Sequence, residues 1–169
     1  MCPATNNMKQ SRKHPRLNKS IYSYPTNPCS ITICTKNRKI IFGHQAHEFT
    51  KNCISILEKI SSEQGMFVHI ALFMPDHVHL CVEISKQCNI IDFVKKFKSC
   101  VAVYAIKNDH KNSIWQTSFF DHFIRSSESV KTVVLYILNN PCRKNLISKW
   151  WLYPYRYSNV YTEKDLLNI

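Results

Sequence analysis

Apolar residues that alternate, cluster or recur every three to four positions divide the first half of the chain into strands and a helix. Ser30 to Thr35 alternates and is rich in β-branched residues, which predicts a strand. An apolar stripe from Ala46 to Ile60 predicts a helix that ends near Gly65, a residue suited to a helix C-cap. The apolar run from Met66 to Phe73 has the length of a buried strand and turns at Met74 to Asp76 into another strand.

The second half of the chain carries two further helices and one aromatic strand. An amphipathic pattern predicts a helix over residues 90–107, and the stretch from Trp115 to Ile124 predicts a strand. The resulting order, βαββαβ, is typical of an α+β, ferredoxin-like fold, in which both helices cover one face of an antiparallel sheet and leave the other face available. A third helix is predicted from Val130 to about Asn140, where Pro141 disfavours helical geometry.

Two histidines lie side by side in the strand that follows the turn. Because side chains alternate along a strand, His77 and His79 project from one face, and Val78 and Leu80 project from the other. Paired imidazoles on a rigid strand can clamp a metal ion, and they leave most of the coordination sphere of Mg²⁺ or Mn²⁺ open for oxygen ligands. The alternative is a pair of polar residues on the solvent side of a half-exposed sheet.

The third helix carries a phenol and an amide at a spacing of four residues. Tyr136 and Asn140 therefore share a helix face, where the Asn carbonyl oxygen can serve as a hard ligand and the phenol as a nucleophile towards a phosphate. In the competing interpretation, Tyr136 is a core aromatic that packs with Val133 and Ile137. The spacing alone does not decide between the two.

The charge balance points to a polyanionic partner. The chain has 23 Lys and Arg against 11 Asp and Glu among its 169 residues, which gives a net charge of +12 and a pI near 9.4. Cations that neutralise phosphates release counterions, so nucleic acid is the favoured partner, and an anionic membrane surface is the alternative. No segment has the length and apolarity of a transmembrane helix or of a signal peptide, and we expect a cytoplasmic protein without a membrane association.

The domain organisation follows from the same patterns. Residues 1–28 form a basic arm that includes Arg12, Lys13 and Arg16, either as a solubilising tail or as a segment that contacts a phosphate backbone. One domain is expected over residues 29–160, with a C-terminal tail over residues 161–169. The eight cysteines contain no Cys-x-x-Cys pair and are expected to be mostly small core residues.

Several stretches of the chain occur together in an order that resembles a known family. Met74 to Val82 is similar to the His-hydrophobic-His strand of the single-strand-DNA tyrosine transposases of the HUH class, and most similar to the REP-associated tyrosine transposases and their insertion-sequence relatives. The supporting stretches are Ile33 to Lys39, Phe97-Lys98, Trp115 to Arg125 and Tyr136 to Pro141. The resemblance covers roughly residues 30–160.

This resemblance implies a reaction and a role for each matching residue. His77 and His79 match the histidines that hold a divalent ion, Mg²⁺ or Mn²⁺, and Asn140 matches the helix position that completes the metal site. Tyr136 matches the nucleophile that attacks a phosphate of single-stranded DNA, leaving a 5′-phosphotyrosine and a free 3′-hydroxyl. The implied function is a transposase and single-strand endonuclease that cleaves and rejoins DNA beside a hairpin. The alternative is a non-catalytic or domesticated nucleic-acid-binding protein on the same fold.

The expected DNA contacts and the expected oligomeric state are separate predictions. The candidate phosphate contacts, in addition to the arm, are Lys95, Lys98, Arg125, Arg143 and Lys144. Relatives in this class work either as monomers or as dimers that exchange the tyrosine helix. The short connection after Arg125 favours a monomer in which Tyr136 faces the histidines of its own chain.

Overall fold

An antiparallel sheet of five strands forms the centre of the molecule. The computed structural model describes residues 28–84, 89–110, 113–125 and 129–169. The strands are β1 (Cys29–Cys34), β2 (Phe67–Met74), β3 (His77–Glu83), β4 (Phe120–Phe123) and β5 (Arg156–Tyr157). They are ordered β4-β1-β3-β2-β5, and every neighbouring pair is antiparallel. The paired histidines therefore lie on the central strand of the sheet.

The helices are distributed over both faces of this sheet. They are α1 (His47–Glu63), α2 (Ile90–Lys107), α3 (Val130–Leu138), α4 (Asn140–Arg143) and α5 (Glu163–Leu167). The helices α1 and α2 pack against each other. The ring of Phe73 in β2 meets Phe42 and the α2 residue Phe97 edge to face. This arrangement confirms the predicted α+β, ferredoxin-like fold with two helices on one face.

The first helix ends as its sequence predicts. Its last residue is Glu63, and Gly65 follows with a φ of 60°, a conformation that glycine adopts without steric cost. The buried side of α1 is built from Cys53, Leu57 and Ile60. The periodic apolar stripe therefore marks both the core-facing side and the end of this helix.

The predicted strand from Trp115 to Ile124 is much shorter than expected. Only Phe120–Phe123 pairs with β1, and Trp115 makes an isolated bridge to Thr35. The preceding segment instead bonds to α2, because the indole of Trp115 donates to the Lys98 carbonyl and the Lys98 ammonium donates to the carbonyls of Gln116 and Thr117. These side-chain bonds occupy backbone groups that a longer strand would need.

The C-terminal residues complete the sheet and its core. Strand β5, which the sequence did not predict, pairs with β2 at Ala71 and Leu72. The hydroxyl of buried Tyr153 donates to the Phe73 carbonyl at 2.8 Å. Within the segment predicted as a tail, α5 begins with a capping box at Thr162 and buries Leu166. These residues pack on the domain.

The helix α3 lies on the sheet face that the first two helices leave open. It packs against β2 and β3, and its buried residues are Val134, Ile137 and Leu138. Asn139 then separates α3 from α4, and Asn140 and Pro141 begin the second short helix. The predicted helix end at Asn140 is therefore a corner between two helices, and the open face is partly covered.

Two further features of the described residues concern the helices and the cysteines. No helix among them is long and apolar enough to cross a membrane. Four of the six cysteines in this part of the chain are buried, namely Cys29, Cys34, Cys53 and Cys81. Burial raises the pKa of the Cys53 thiol to about 12, as is expected of an unreactive core residue. The basic arm, with Arg12, Lys13 and Arg16, lies outside the described residues.

Candidate metal and nucleophile site

The histidine pair, His77 and His79, projects from one face of β3 as the alternation predicts. Val78, which lies between the two histidines, and Leu80, which follows His79, are fully buried on the opposite face. The two imidazoles approach each other through the same ring atom, with Nε2 of His77 and Nε2 of His79 3.0 Å apart. The remaining ring atoms contact other residues, so both Nε2 atoms converge on one point beside the sheet.

Each imidazole is oriented by a hydrogen-bonding partner at its other nitrogen. The Nδ1–H of His77 donates to Oδ1 of Asp76 at 2.6 Å, which leaves the lone pair of the neutral ring on Nε2. Nδ1 of His79 lies 2.9 Å from the hydroxyl of Thr32, its register partner in β1. A carboxylate behind a histidine is a usual outer support of a metal ligand, and the Thr32 hydroxyl can orient the His79 ring in a similar way.

The surroundings keep both imidazoles neutral. Burial lowers the pKa of His79 to about 3, and repulsion by the charge of Arg38, and by His77 whenever that ring is protonated, acts in the same direction. Burial also lowers the pKa of His77, which the hydrogen bond to Asp76 only partly offsets. Asp76 is ionised despite its partial burial, because the hydrogen bond with His77 and the positive charge of Arg38 hold the pKa of its carboxyl below the ordinary value. Neutral rings with free lone pairs are the form that binds metal.

The donor set of the histidine pair fits a divalent ion. Two nitrogen lone pairs cannot face each other at 3.0 Å without a proton or a cation between them. Two ligands at about 2.1 Å from one octahedral ion, at right angles, are separated by about 3.0 Å. Among the described residues, no group of three or more His, Cys, Asp or Glu side chains could hold a metal.

Asn140 lies at the corner between α3 and α4 and is almost fully buried. Its amide nitrogen donates to the carbonyls of Tyr136 at 3.0 Å and Ile137 at 3.2 Å. The second bond has a clear cause, because Pro141 has no N–H to offer the carbonyl four residues before it. The amide nitrogen of Asn140 thus satisfies two carbonyls at the end of α3. Its amide oxygen is the side-chain atom that remains for binding a metal ion.

Tyr136 lies over the same sheet face as the histidine pair, in a neighbouring cavity. Its side chain is 54% exposed, and it lines a cavity of about 320 Å³ with Ser30 and His122. Ser30 is two residues from Thr32 on β1 and is the register partner of His122 on β4. The competing interpretation of Tyr136 as a core aromatic does not hold for an exposed ring. His122 is also exposed on this face, and it lies beside Tyr136 rather than in the core.

The predicted DNA-contact residues fall into two groups. On the histidine face, the Arg143 guanidinium lies 4.4 Å from the centre of the Tyr136 ring, and Lys144 is close enough to His77 to lower its pKa. On α2, Lys95 pairs with Asp92, and Lys98 donates to the segment before β4. Arg125 is exposed directly after β4. The structure thus brings two of these five cations to the candidate site.

Three residues of the site were not identified from the sequence. They are Asp76 and Thr32, which contact the histidine rings, and Arg38, whose guanidinium lies 3.2 Å from Oδ2 of Asp76. Asp76 could have been found, because an acid directly before a metal-type histidine is a common support. Thr32 and Arg38 could not, because their place depends on strand register and on the path of a loop.

Comparisons with known proteins agree with this architecture. The chain resembles the structure of a REP-associated tyrosine transposase bound to a REP hairpin, with a TM-score of 0.68 and 16% identity, over 86% of this chain and 82% of that chain. It also resembles a crystal structure from Deinococcus radiodurans, of a protein provisionally assigned as a transposase, with a TM-score of 0.51 and 22% identity, over 78% of this chain and 97% of that chain. At these low sequence identities, the structural similarity shows a shared fold and nothing further.

Sequence comparison identifies the family. An uncharacterised protein of Haemophilus influenzae is 28% identical over 142 residues, which is 66% of this chain and 78% of that protein. The family model described as "Transposase IS200 like" matches residues 27–140. Because this match spans more than half of the chain, the protein belongs to the IS200-like transposase family.

Proposed function

We propose that this transposase cleaves and rejoins single-stranded DNA beside a hairpin through a covalent 5′-phosphotyrosine. Tyr136 is the nucleophile, and His77, His79 and Asn140 would hold Mg²⁺ or Mn²⁺. When bound, the ion supplies positive charge that stabilises the charge developing on the scissile phosphate. The observation that carries this proposal is the convergence of two oriented Nε2 atoms on the sheet face that the Tyr136 helix covers.

The bonds of the reaction balance without a further reactant. The phenolic oxygen of Tyr136 forms a bond to phosphorus while the bond from phosphorus to the 3′-oxygen breaks. The phenol loses one proton, and the leaving 3′-oxygen gains one. The 5′-phosphate stays on Tyr136 as a diester that retains the energy of the cleaved bond, so another 3′-hydroxyl can reverse the step without a nucleotide cofactor.

Charge and fold support DNA as the partner. The chain has a net charge of +12, and Arg143 and Lys144 lie next to Tyr136 and His77 respectively. The structurally similar REP-associated tyrosine transposase is bound to a REP hairpin. A protein that only bound nucleic acid would not need an exposed phenol on the face of an oriented histidine pair.

The direct test is the formation of a covalent adduct. The protein is incubated with labelled single-stranded hairpin DNA and Mn²⁺, and denaturing electrophoresis separates the adduct. We expect an adduct with the wild type, none with Tyr136→Phe, and at least a hundredfold less with His77→Ala, in line with the cost of losing a metal ligand. Tyr157→Phe is the matched control and should leave the adduct unchanged. An adduct that survives in Tyr136→Phe would refute the nucleophile assignment.

We also infer that Tyr136 acts on the histidines of its own chain. The connection from Phe123 at the end of β4 to Val130 at the start of α3 is short, which supports a monomer. Mixing Tyr136→Phe with His77→Ala tests this inference. If the active site forms within one chain, the mixture stays inactive, whereas helix exchange in a dimer would place an intact Tyr136 next to an intact histidine pair and restore the adduct.

A further inference from the structure

A cleft beside the histidine pair is large enough for a nucleotide. It has a volume of about 470 Å³ and lies between the turn from β2 to β3 and the residues that follow α4. The lining residues used below are Arg38, Ile40, Asp76, His77, Lys144 and Leu146. We call it the turn cleft. Because His77 lines it, any occupant is adjacent to the point where the two imidazoles converge.

One wall of the turn cleft is the loop over residues 35–42, which is fixed to the turn from β2 to β3. The amides of Ile41 and Phe42 donate to the Pro75 carbonyl at 2.9 and 3.1 Å. The buried hydroxyl of Thr35 lies 2.7 Å from the Lys39 carbonyl and 2.9 Å from the Asp76 carbonyl. The loop is therefore held at both of its ends against the residues that lead into β3.

This loop contains backbone strain at the cleft. Asn37 and Arg38 have φ of 56° and 55°, in the left-handed region that residues with a Cβ rarely adopt. For Arg38 this costs on the order of 1 kcal/mol, which persists only where the surrounding bonds impose it. The conformation places the Arg38 guanidinium against Asp76 at the edge of the cleft. Strain imposed in this way is typical of ligand-binding loops.

The opposite wall is a helix end with a fixed geometry. After α4, Asn145 has a φ of 54°, the Asn145 amide donates to the Cys142 carbonyl, and the Leu146 amide donates to the Pro141 carbonyl at 2.9 Å. This is a Schellman motif, and it directs Lys144 and Leu146 to the cleft. Three of the four non-glycine residues with positive φ in the described part of the chain thus lie in the two walls.

The lining combines cations with exposed apolar side chains. Arg38 and Lys144 line the cleft with positive charge, while its carboxylate, Asp76, is already bonded to His77 and Arg38. Ile40 and Leu146 are 61% and 45% exposed, so both offer apolar surface to an occupant of the cleft. Cations beside apolar surface match the two parts of a nucleotide, since the phosphate is anionic and the base presents an apolar face.

We propose that the turn cleft binds the nucleotide next to the scissile phosphate of the single-stranded DNA. Its base lies against Ile40 and Leu146, and its phosphate lies between Arg38 and Lys144. The assignment rests on the proposed function, because that function places the scissile phosphate at the histidine pair. The proposal goes beyond phosphate binding by Arg38 and Lys144, because it assigns contact with the base to the exposed side chains of Ile40 and Leu146.

The test compares a normal oligonucleotide with one that lacks bases. The probes are a short single-stranded dT oligonucleotide and an abasic oligonucleotide of the same length, so both carry the same phosphates. The variant is Ile40→Ser with Leu146→Ser, and the matched control is Val103→Ser with Ile106→Ser, two exposed aliphatic residues of α2. Binding is measured by fluorescence anisotropy at constant salt.

The expected result is a base-dependent loss of affinity. We expect the cleft variant to bind dT about five- to tenfold more weakly, as is reasonable for two aliphatic contacts to a base, and to bind the abasic probe as the wild type does. The control variant should bind both probes normally. Equal weakening of both probes, or no weakening of either, would overturn the proposal.

The adduct assay distinguishes failure of the subsite from failure of the proposed function. With hairpin DNA below saturation, the wild type and the control variant Val103→Ser with Ile106→Ser should form the Tyr136 adduct equally fast, and the cleft variant should form it more slowly, in proportion to its lost affinity. A wild-type protein that forms no adduct contradicts the proposed function, whatever the anisotropy shows. A wild-type adduct with unchanged dT affinity in the cleft variant contradicts the subsite alone.

Discussion

Asp76 joins the histidine pair to the rest of the molecule. One of its oxygens accepts from His77 at 2.6 Å, and the other lies 3.2 Å from Arg38. The negative charge increases the basicity of the His77 ring, and the hydrogen bond fixes the tautomer that exposes Nε2. Because Arg38 neutralises the second oxygen, the carboxylate is held in one orientation at a partly buried position.

The first prediction concerns Asp76→Asn. The substitution keeps the shape of the side chain but removes its charge, so we expect the affinity for Mn²⁺ to fall by about 10- to 100-fold. Asp109→Asn is the matched control, because Asp109 is an exposed acid that does not contact the histidine pair. Electron paramagnetic resonance of free Mn²⁺ during a titration gives both affinities. Equal affinity in Asp76→Asn and the wild type would exclude this supporting role.

The second prediction separates two roles of Asn140. Its nitrogen donates to two helix carbonyls, whereas its oxygen is the proposed ligand. Asn140→Ala and Asn140→Asp both remove the donors, and each should lower the free energy of unfolding by about 1 to 3 kcal/mol in urea denaturation. Asn140→Asp keeps an oxygen and should retain Mn²⁺ binding, while Asn140→Ala should lose affinity.

A neighbouring residue provides the control for this experiment. Asn139 makes a similar bond from its amide nitrogen to the Leu135 carbonyl, but it is less buried. Asn139→Ala should lower the free energy of unfolding by less than Asn140→Ala does, and it should not change the affinity for Mn²⁺. If Asn140→Ala bound Mn²⁺ as tightly as the wild type, Asn140 would be a structural residue only.

At the scale of helices and strands, the sequence predicts what depends on local periodicity. The alternation in β3 places His77 and His79 on one face, and the apolar stripe of α1 leads to Gly65 as its end, as the structure has them. The two-residue strand β5 is too short to show any period. The shortened β4 depends on bonds from Trp115 and Lys98 to distant backbone, which periodicity does not encode.

In the candidate site, too, the sequence predicts the residues that follow a local pattern and does not predict those placed by long-range contacts. Tyr136 and Asn140 could be named from their spacing and from the family resemblance, and the structure places Tyr136 on α3, which packs on β2 and β3, and Asn140 at the start of α4. The roles of Thr32 and Arg38 depend on register and on a loop with positive φ, so neither could be derived from the sequence. Long-range contacts of this kind are specified by the whole fold rather than by neighbouring residues.

The third prediction concerns the loop that forms one wall of the turn cleft. Thr35→Val removes a buried hydroxyl that lies within hydrogen-bond distance of two carbonyls, so we expect a loss of about 1 to 3 kcal/mol in stability. Hydrogen exchange measured by mass spectrometry should become faster at the amides of Ile41 and Phe42. Thr117→Val, at an exposed position, is the control. Unchanged exchange at these two amides would contradict the role of Thr35 in fixing the loop.

At the scale of the whole molecule, the two faces of the sheet differ in how their charges are used. On the histidine face, Arg38, Arg143 and Lys144 surround the candidate site. On the helical layer, Lys95 pairs with Asp92 and Lys96 pairs with Glu63. The chain has a net charge of +12, and we expect its positive field to be strongest at the histidine face, because Lys95 and Lys96 on the helical layer are paired within the protein.

The last prediction follows from this distribution. The affinity for single-stranded hairpin DNA should fall steeply as salt rises, because each phosphate contact releases counterions, and a plot of log K against log salt concentration gives the number of contacts. Lys144→Gln should reduce the slope by about one contact. Lys95→Gln removes the same charge from the helical layer and should leave the slope unchanged. A flat salt response of the wild type would remove the electrostatic argument for DNA, and equal slopes in the two variants would show that the field is not directed at the histidine face.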